Sequence, residues 1–203
     1  MNYLLAPDSF KGSLSALGVA QAMELGIRRA DPSAQVKMLP IADGGEGTVD
    51  AVLQAVGGSR IEETVVGPLG DPVRAAYGIL PDGRTAVIEM AAASGITLVP
   101  RSALNPLLAT TYGTGQLILS ALDRGCGQII IGIGGSATND GGAGMASALG
   151  CKFMDADGKE LNPGGGALAG LASIDASGID PRLAGAEITV ATDVENVLCG
   201  ENG

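Results

Sequence analysis

The chain has 203 residues, 46% hydrophobic and 17% charged, with a formal net charge of −10. That charge argues against nucleic acid or an anionic membrane as a partner, and 2% aromatic content leaves little for stacking bases. The absence of histidine removes the commonest general base, the Ser-His-Asp triad and most zinc sites, so proton transfer falls to Asp, Glu, Lys, Tyr or Cys.

Residues 3–6 read as a short buried strand in a segment, MNYLLAPDSFKGS, without the basic and apolar regions of a signal peptide. No stretch elsewhere is long enough to span a membrane. Ser13 is placed to cap a helix in which Ala16, Ala20, Met23, Ile27 and Ala30 recur at helical spacing. Residues 36–40 form a second strand and residues 46–56 a second helix, stopped by Gly57-Gly58. This βαβα opening predicts a parallel, doubly wound sheet.

Strands over 61–66, 73–80 and 85–90, split by GPLGDP and PDG turns, predict an antiparallel meander, either a separate subdomain or an edge addition. A helix over 115–124 leads to a strand at 128–133, a glycine-rich loop, and a helix through Met145, Ala146 and Leu149. Residues 151–154 and 159–161 flank an ADGK turn as a hairpin, and 187–191 is one more buried strand. Cys126, Cys151 and Cys199, without a CxxC, read as small buried residues of a reducing cytoplasm. The expected fold is α/β, a doubly wound, mostly parallel, Rossmann-like sheet with a second α/β subdomain. Residues 1–60 begin the first domain, and 61–203 form the second and the start of a return segment. No closing helix follows 187–191, so the C-terminal part of the fold is expected to be missing.

Four polar clusters follow strands directly: 8–13, 43–48, 136–140 and 193–196. Parallel strands would line all four along one rim, where open α/β sheets bind ligands. Each residue taken singly is better explained as a helix cap; four glycine-bearing clusters together shift the balance toward a site. In the run IIIGIGGSATNDGGAG (129–144), backbone N–H groups and a helix N-terminus suit a phosphate. It is no P-loop, since no Gly-Lys-Ser/Thr follows, and no dinucleotide fingerprint, since Ala137 stands three past Gly134. Lys11 is the only basic residue in the four clusters, while Asp8, Asp43, Glu46, Asp140 and Asp193 supply hard oxygens. An acidic rim with glycine loops fits Mg²⁺-nucleotide phosphoryl transfer. Glu89 to Gly95 and Thr110 to Gly115 each offer groups for a small polyol or hydroxy acid, or simply local capping.

The stretches APDSFKGSLSA (6–16), ADGGEGTVDA (42–51), IEMAAASG (88–95), NPLLATTYGTG (105–115), GIGGSATNDGGAGM (132–145) and ATDVENVLCGENG (191–203) resemble the type I family of bacterial glycerate kinases. The resemblance implies transfer of the ATP γ-phosphoryl group to D-glycerate with Mg²⁺, giving 2-phosphoglycerate and ADP in the cytoplasm. It also implies two α/β domains around a cleft, and members longer than this chain. Thr192 stands where the family commonly has cysteine, and Val197 where it has proline.

Laid on these motifs, Asp193 is read as general base for the glycerate hydroxyl or as a metal ligand, with Asp43 as a second ligand. Lys11 neutralises the glycerate carboxylate or the transferring phosphoryl group. Gly134, Gly135, Ser136 and Thr138 cradle nucleotide phosphates, and Asp8, Ser9, Asp43 and Glu46 hold substrate. A homo-oligomer is left open. The competing readings are a nicotinamide-dependent oxidoreductase, disfavoured by the failed fingerprint, and a non-catalytic nucleotide or hydroxy-acid binding fragment.

Overall fold

Asn2–Leu5 (β1) and Gln35–Met38 (β2) pair in parallel, with helix Ala16–Ala30 (α1) as the crossover. The structure is a computed structural model and describes residues 1–10, 13–42, 44–192, 197 and 199–201. Ser15, not Ser13, caps α1: its Oγ accepts from the Gly18 N–H at 3.2 Å. Ser13 is instead engaged in the Phe10–Leu14 turn, donating its N–H to the Phe10 carbonyl. Arg28 and Arg29 in the last turn complement the helix dipole.

The chain continues through Thr48–Val56 (α2), Ser59–Val66 (β3), Pro72–Ile79 (β4), Thr85–Glu89 (β5), Met90–Ser94 (α3) and Tyr112–Asp123 (α4). Gln128–Gly132 (β6), Ala143–Ala148 (α5), Lys152–Met154 (β7), Ser173–Asp175 (β8) and Glu187–Ala191 (β9) complete it. One five-stranded sheet has the order β3-β4-β5-β6-β9. Its β3, β4 and β5 pair antiparallel, and β5, β6 and β9 parallel. The meander is therefore an edge addition to the parallel strands. The strand that unites them is β5, buried at all five positions of TAVIE, as a strand covered on both faces must be. Strands β1 and β2, from the stretch expected to begin a first domain, form a two-stranded parallel sheet separate from the five-stranded one.

Strand alternation sorts the two faces. Ala75, Tyr77, Ala86, Ile88, Ile129 and Ile131 join Leu117, Ile118, Ala121 and Leu122 of α4 in one core cluster. On the opposite face α2 lies close enough that a Cβ added to Gly78 would stand 3.1 Å from Leu53. The sheet is thus layered between α2 and α4. Gly57 ends α2 as expected.

Two expectations change here. Helix α4 starts at Tyr112 rather than Gly115, taking in Gly113, and a Cβ on Gly115 would come within 2.4 Å of the Met145 carbonyl oxygen. Gly115 lets α4 pack closely on α5, and Gly113 lets it pack on the Val66 carbonyl at the end of β3. The ADGK turn does close a short hairpin, with Asp155 donating its N–H to the Lys159 carbonyl and Leu161 to the Phe153 carbonyl, but β7 also pairs antiparallel with β8, a partner not expected. Cys126 and Cys151 are buried, whereas Cys199 is exposed; all three are free thiols. Among the described residues, no helix is long and apolar enough to cross a membrane.

Candidate functional site

The carboxyl ends of β5, β6 and β9 lie side by side, with Glu89 in register with Gly132 and Gly132 with Ala191. The loop leaving β2 docks on this edge. The Gly134 N–H donates to the Gly44 carbonyl at 3.2 Å. A Cβ on Gly132 would lie 2.2 Å from that same carbonyl oxygen, and one on Gly134 would lie 2.9 Å from the Gly45 Cα. Gly44 has φ +88, and a Cβ there would meet the Ala191 carbonyl at 3.1 Å. Two glycine motifs remote in sequence therefore touch backbone to backbone, an approach that side chains would block.

Strand β1 delivers its own loop to the neighbouring position. The Ile41 N–H donates to the Pro7 carbonyl at 3.1 Å, so the Asp8–Ser9 turn starts beside the segment that runs into Gly44. Asp8 is exposed and accepts the Ser9 N–H at 2.6 Å; Ser9 is half-buried and Glu46 is exposed. Of the predicted site residues, Gly134, the loop bearing Glu46 and the turn bearing Asp8 are brought to this edge. Lys11, Asp43 and Asp193 lie outside the described residues.

The loop after β6 is stitched to the end of α3. Ile96 donates its N–H to the Gly135 carbonyl at 2.9 Å, and Ala137 donates to the Ser94 carbonyl at 2.9 Å. The Ser136 and Thr138 hydroxyls pair at 2.7 Å, and the Ser136 Oγ accepts the Thr138 N–H at 2.9 Å. Among the described residues the N–H groups of Gly135, Ser136, Asn139 and Gly141 have no partner, which suits an anion held by backbone amides.

The helix end contributes less than expected. Asp140, 1% exposed, accepts from the N–H groups of Thr111, Gly142 and Gly144 and from the Thr111 hydroxyl. Met145 donates its N–H to the Thr111 Oγ1 at 2.8 Å. The first amides of α5 are thus consumed internally. Asp140 is a buried brace for the loop rather than a supply of metal-ligating oxygen.

Glu89 carries more than its sequence position suggested. It is 8% exposed, and its Oε1 accepts the Val49 N–H at 2.5 Å. Burial raises its carboxyl above the ordinary glutamate value, against the backbone hydrogen bonds from Val49 and Gly47; Asp50 and Glu46 push the same way as burial. The sequence clue is an acidic residue closing an otherwise uncharged, strongly β-forming strand. Beside this edge a concavity of about 400 Å³ lies between α2 and the sheet, lined by Gly44, Thr48, Val52, Val87, Ile130 and Ala191 among others.

Among the described residues, no three Asp, Glu, His or Cys side chains converge as a cation site. The oxygens of Asp140 and the Oε1 of Glu89 are already engaged by internal donors. The described residues therefore do not by themselves fit Mg²⁺. What the loop after β6 offers instead is backbone N–H groups without an internal acceptor among the described residues.

The family model for the glycerate kinase family matches residues 3–203. The glycerate kinase of Bacillus subtilis (strain 168) is 59% identical over 203 residues, 100% of this chain and 53% of that protein. The glycerate 2-kinase of Escherichia coli (strain K12) is 57% identical over the same length, again 53% of that protein. A crystal structure described as glycerate kinase 2 from Salmonella typhimurium LT2 superposes with a TM-score of 0.83 at 55% identity, covering 100% of this chain and 54% of that one. The chain spans about half the length of the relatives it matches. With two of its glycine motifs meeting at one sheet edge and the match running across nearly its whole length, the chain belongs to the glycerate kinase family.

Proposed function

We propose that this chain serves ATP-dependent phosphorylation of D-glycerate, yielding 2-phosphoglycerate and ADP. The observation that carries the reading is the seating of Gly44-Gly45 on Gly132 and Gly134, which joins an acidic loop to a loop with unpaired amides. Phosphoryl transfer asks mainly for positioning and charge stabilisation, and that junction offers both.

In this reading the Gly135 and Ser136 amides and the Ser136 and Thr138 hydroxyls hold nucleotide phosphates; Gly134, whose N–H is taken by the Gly44 carbonyl, shapes the turn instead, and Asp8, Ser9, Asp43 and Glu46 hold the glycerate. The glycerate hydroxyl oxygen attacks the γ-phosphorus, the bond to ADP breaks, and Asp193 takes the hydroxyl proton. Lys11 balances the glycerate carboxylate or the phosphoryl oxygens. Mg²⁺, held through Asp43, and through Asp193 in the rival role in which that residue is not the base, would supply neutralisation of phosphate charge.

The test is NMR identification of the product formed from ATP, Mg²⁺ and D-glycerate. A 2-phosphoglycerate spectrum supports the reading; a 3-phosphoglycerate spectrum overturns the choice of hydroxyl; no ADP formation overturns catalysis by this chain. The coverage of about half of each relative favours a second reading, a binding fragment. Calorimetric binding of Mg-ATP without ADP formation would decide for it.

A further inference from the structure

Helix α2 begins without a cap of its own. Its N-cap residue is Gly47, at φ 92, and among the described residues no flanking side chain caps its first amides. The missing acceptor arrives from β5, where Glu89 takes the N–H of Val49 and is bonded by the Gly47 backbone as well. Asp140 and Glu89 are the only buried charged residues among those described, and the charged groups facing Glu89 are the acidic Glu46 and Asp50. A carboxylate kept from water without a cation is costly unless amides and a helix N-terminus compensate it.

Its placement suggests what it does. The segment Gly44-Gly45-Glu46 hangs between two fixed points. On one side the Gly44 carbonyl is held by the Gly134 N–H. On the other, Thr48 bonds the Gly45 carbonyl through both its N–H at 3.2 Å and its hydroxyl at 2.8 Å, and Glu89 holds the helix turn that follows. Glu46 is the exposed side chain between these anchors. We propose that Glu89 is a positioning residue for the reaction: it clamps the start of α2 to the end of β5, so that Glu46 is presented at a fixed point beside the Gly132–Gly134 turn. This rests on the glycerate kinase reading given above.

The test compares Glu89→Ala, Glu89→Gln and Glu89→Asp with the unaltered chain, reading KM for D-glycerate and for ATP, kcat, and hydrogen exchange at the Gly134 amide. Without the clamp, Glu89→Ala should raise KM for D-glycerate about tenfold, leaving KM for ATP within about threefold. Exchange at Gly134 should quicken about tenfold. Glu89→Gln keeps an acceptor of the same reach and should restore both to within about threefold. Where Glu89→Ala does not fold, Glu89→Asp stands in for it, because the shorter side chain cannot reach the Val49 amide. A fall in melting temperature with unchanged KM and unchanged Gly134 exchange overturns the proposal, since that is the signature of a helix cap and nothing more. Glu89→Gln as impaired as Glu89→Ala overturns it too, by making charge the requirement. If the unaltered chain turns over no glycerate, the functional reading fails separately, and Gly134 exchange alone judges the clamp.

Discussion

The Asp140 carboxylate faces four donors, three amides and the Thr111 hydroxyl, in a site closed to solvent. Asn in its place would turn an NH₂ group toward N–H donors and leave at least one of them unpaired. Asp140→Asn should cost about 2–3 kcal/mol, readable as a lower urea midpoint with unchanged slope. Titration separates two other carboxyls by sign. Glu89 is raised by burial, so its stabilising contribution is complete below the ordinary glutamate pKa and fades as pH climbs through the raised value. Asp180, which caps the turn Pro181–Gly185 and pairs with Arg182, is lowered to about 2; its contribution is present above the ordinary aspartate pKa and fades as pH falls toward about 2. Urea midpoints measured between about pH 3 and 8 should therefore show Glu89→Gln flattening the high-pH side and Asp180→Asn the low-pH side. Parallel profiles for all three proteins would contradict both assignments.

Among the elements, two helix glycines with the same local chemistry have opposite meanings. Gly26 sits on the exposed side of α1 with open space around its Cβ position, whereas Gly115 of α4 abuts the backbone of α5. Gly26→Ala should stabilise by about 1 kcal/mol through helix propensity alone. Gly115→Ala should destabilise by about 1–3 kcal/mol or more, because α4 and α5 must separate. Paired thermal melts decide it, and equal effects of like sign would show that packing at α4–α5 is looser than the contacts indicate. Sequence spacing revealed α1, since Ala16, Ala20, Met23, Ile27 and Ala30 recur at helical spacing. It did not reveal that Gly113 belongs to α4, because glycine in sequence reads as a turn and only the neighbouring Val66 carbonyl explains its absence of a side chain. The same limit applied to Ser13 and Ser15: both are good caps by composition, and the backbone path selects Ser15.

At the scale of the whole molecule, stability should be uneven. The core joining β4, β5, β6 and α4 contains Tyr77, Ile88, Leu117, Ile118 and Ile129 fully buried, while α1 buries only Ala20 above a two-stranded sheet. Two strands and one helix cover little apolar area, so native-state hydrogen exchange should be slowest at Ile88 and Ile129 and far faster at residues 36–38. Uniform protection across both sheets would refute this. Composition, strand and helix periodicity and the six motif stretches were enough to place the chain in the glycerate kinase family and to locate most of its elements. They were enough because apolar spacing and unusual glycine-acid runs are local properties of the chain. Strand partnership was not local: β5 looks the same whether it ends a meander or centres a mixed sheet, and β7 could not announce that its partner lay beyond the nearby turn. The meeting of Gly44 with Gly132, the capture of Asp140 by Thr111 and the reach of Glu89 to Val49 were likewise decided in three dimensions, since each depends on distances between segments that no spacing along the chain records.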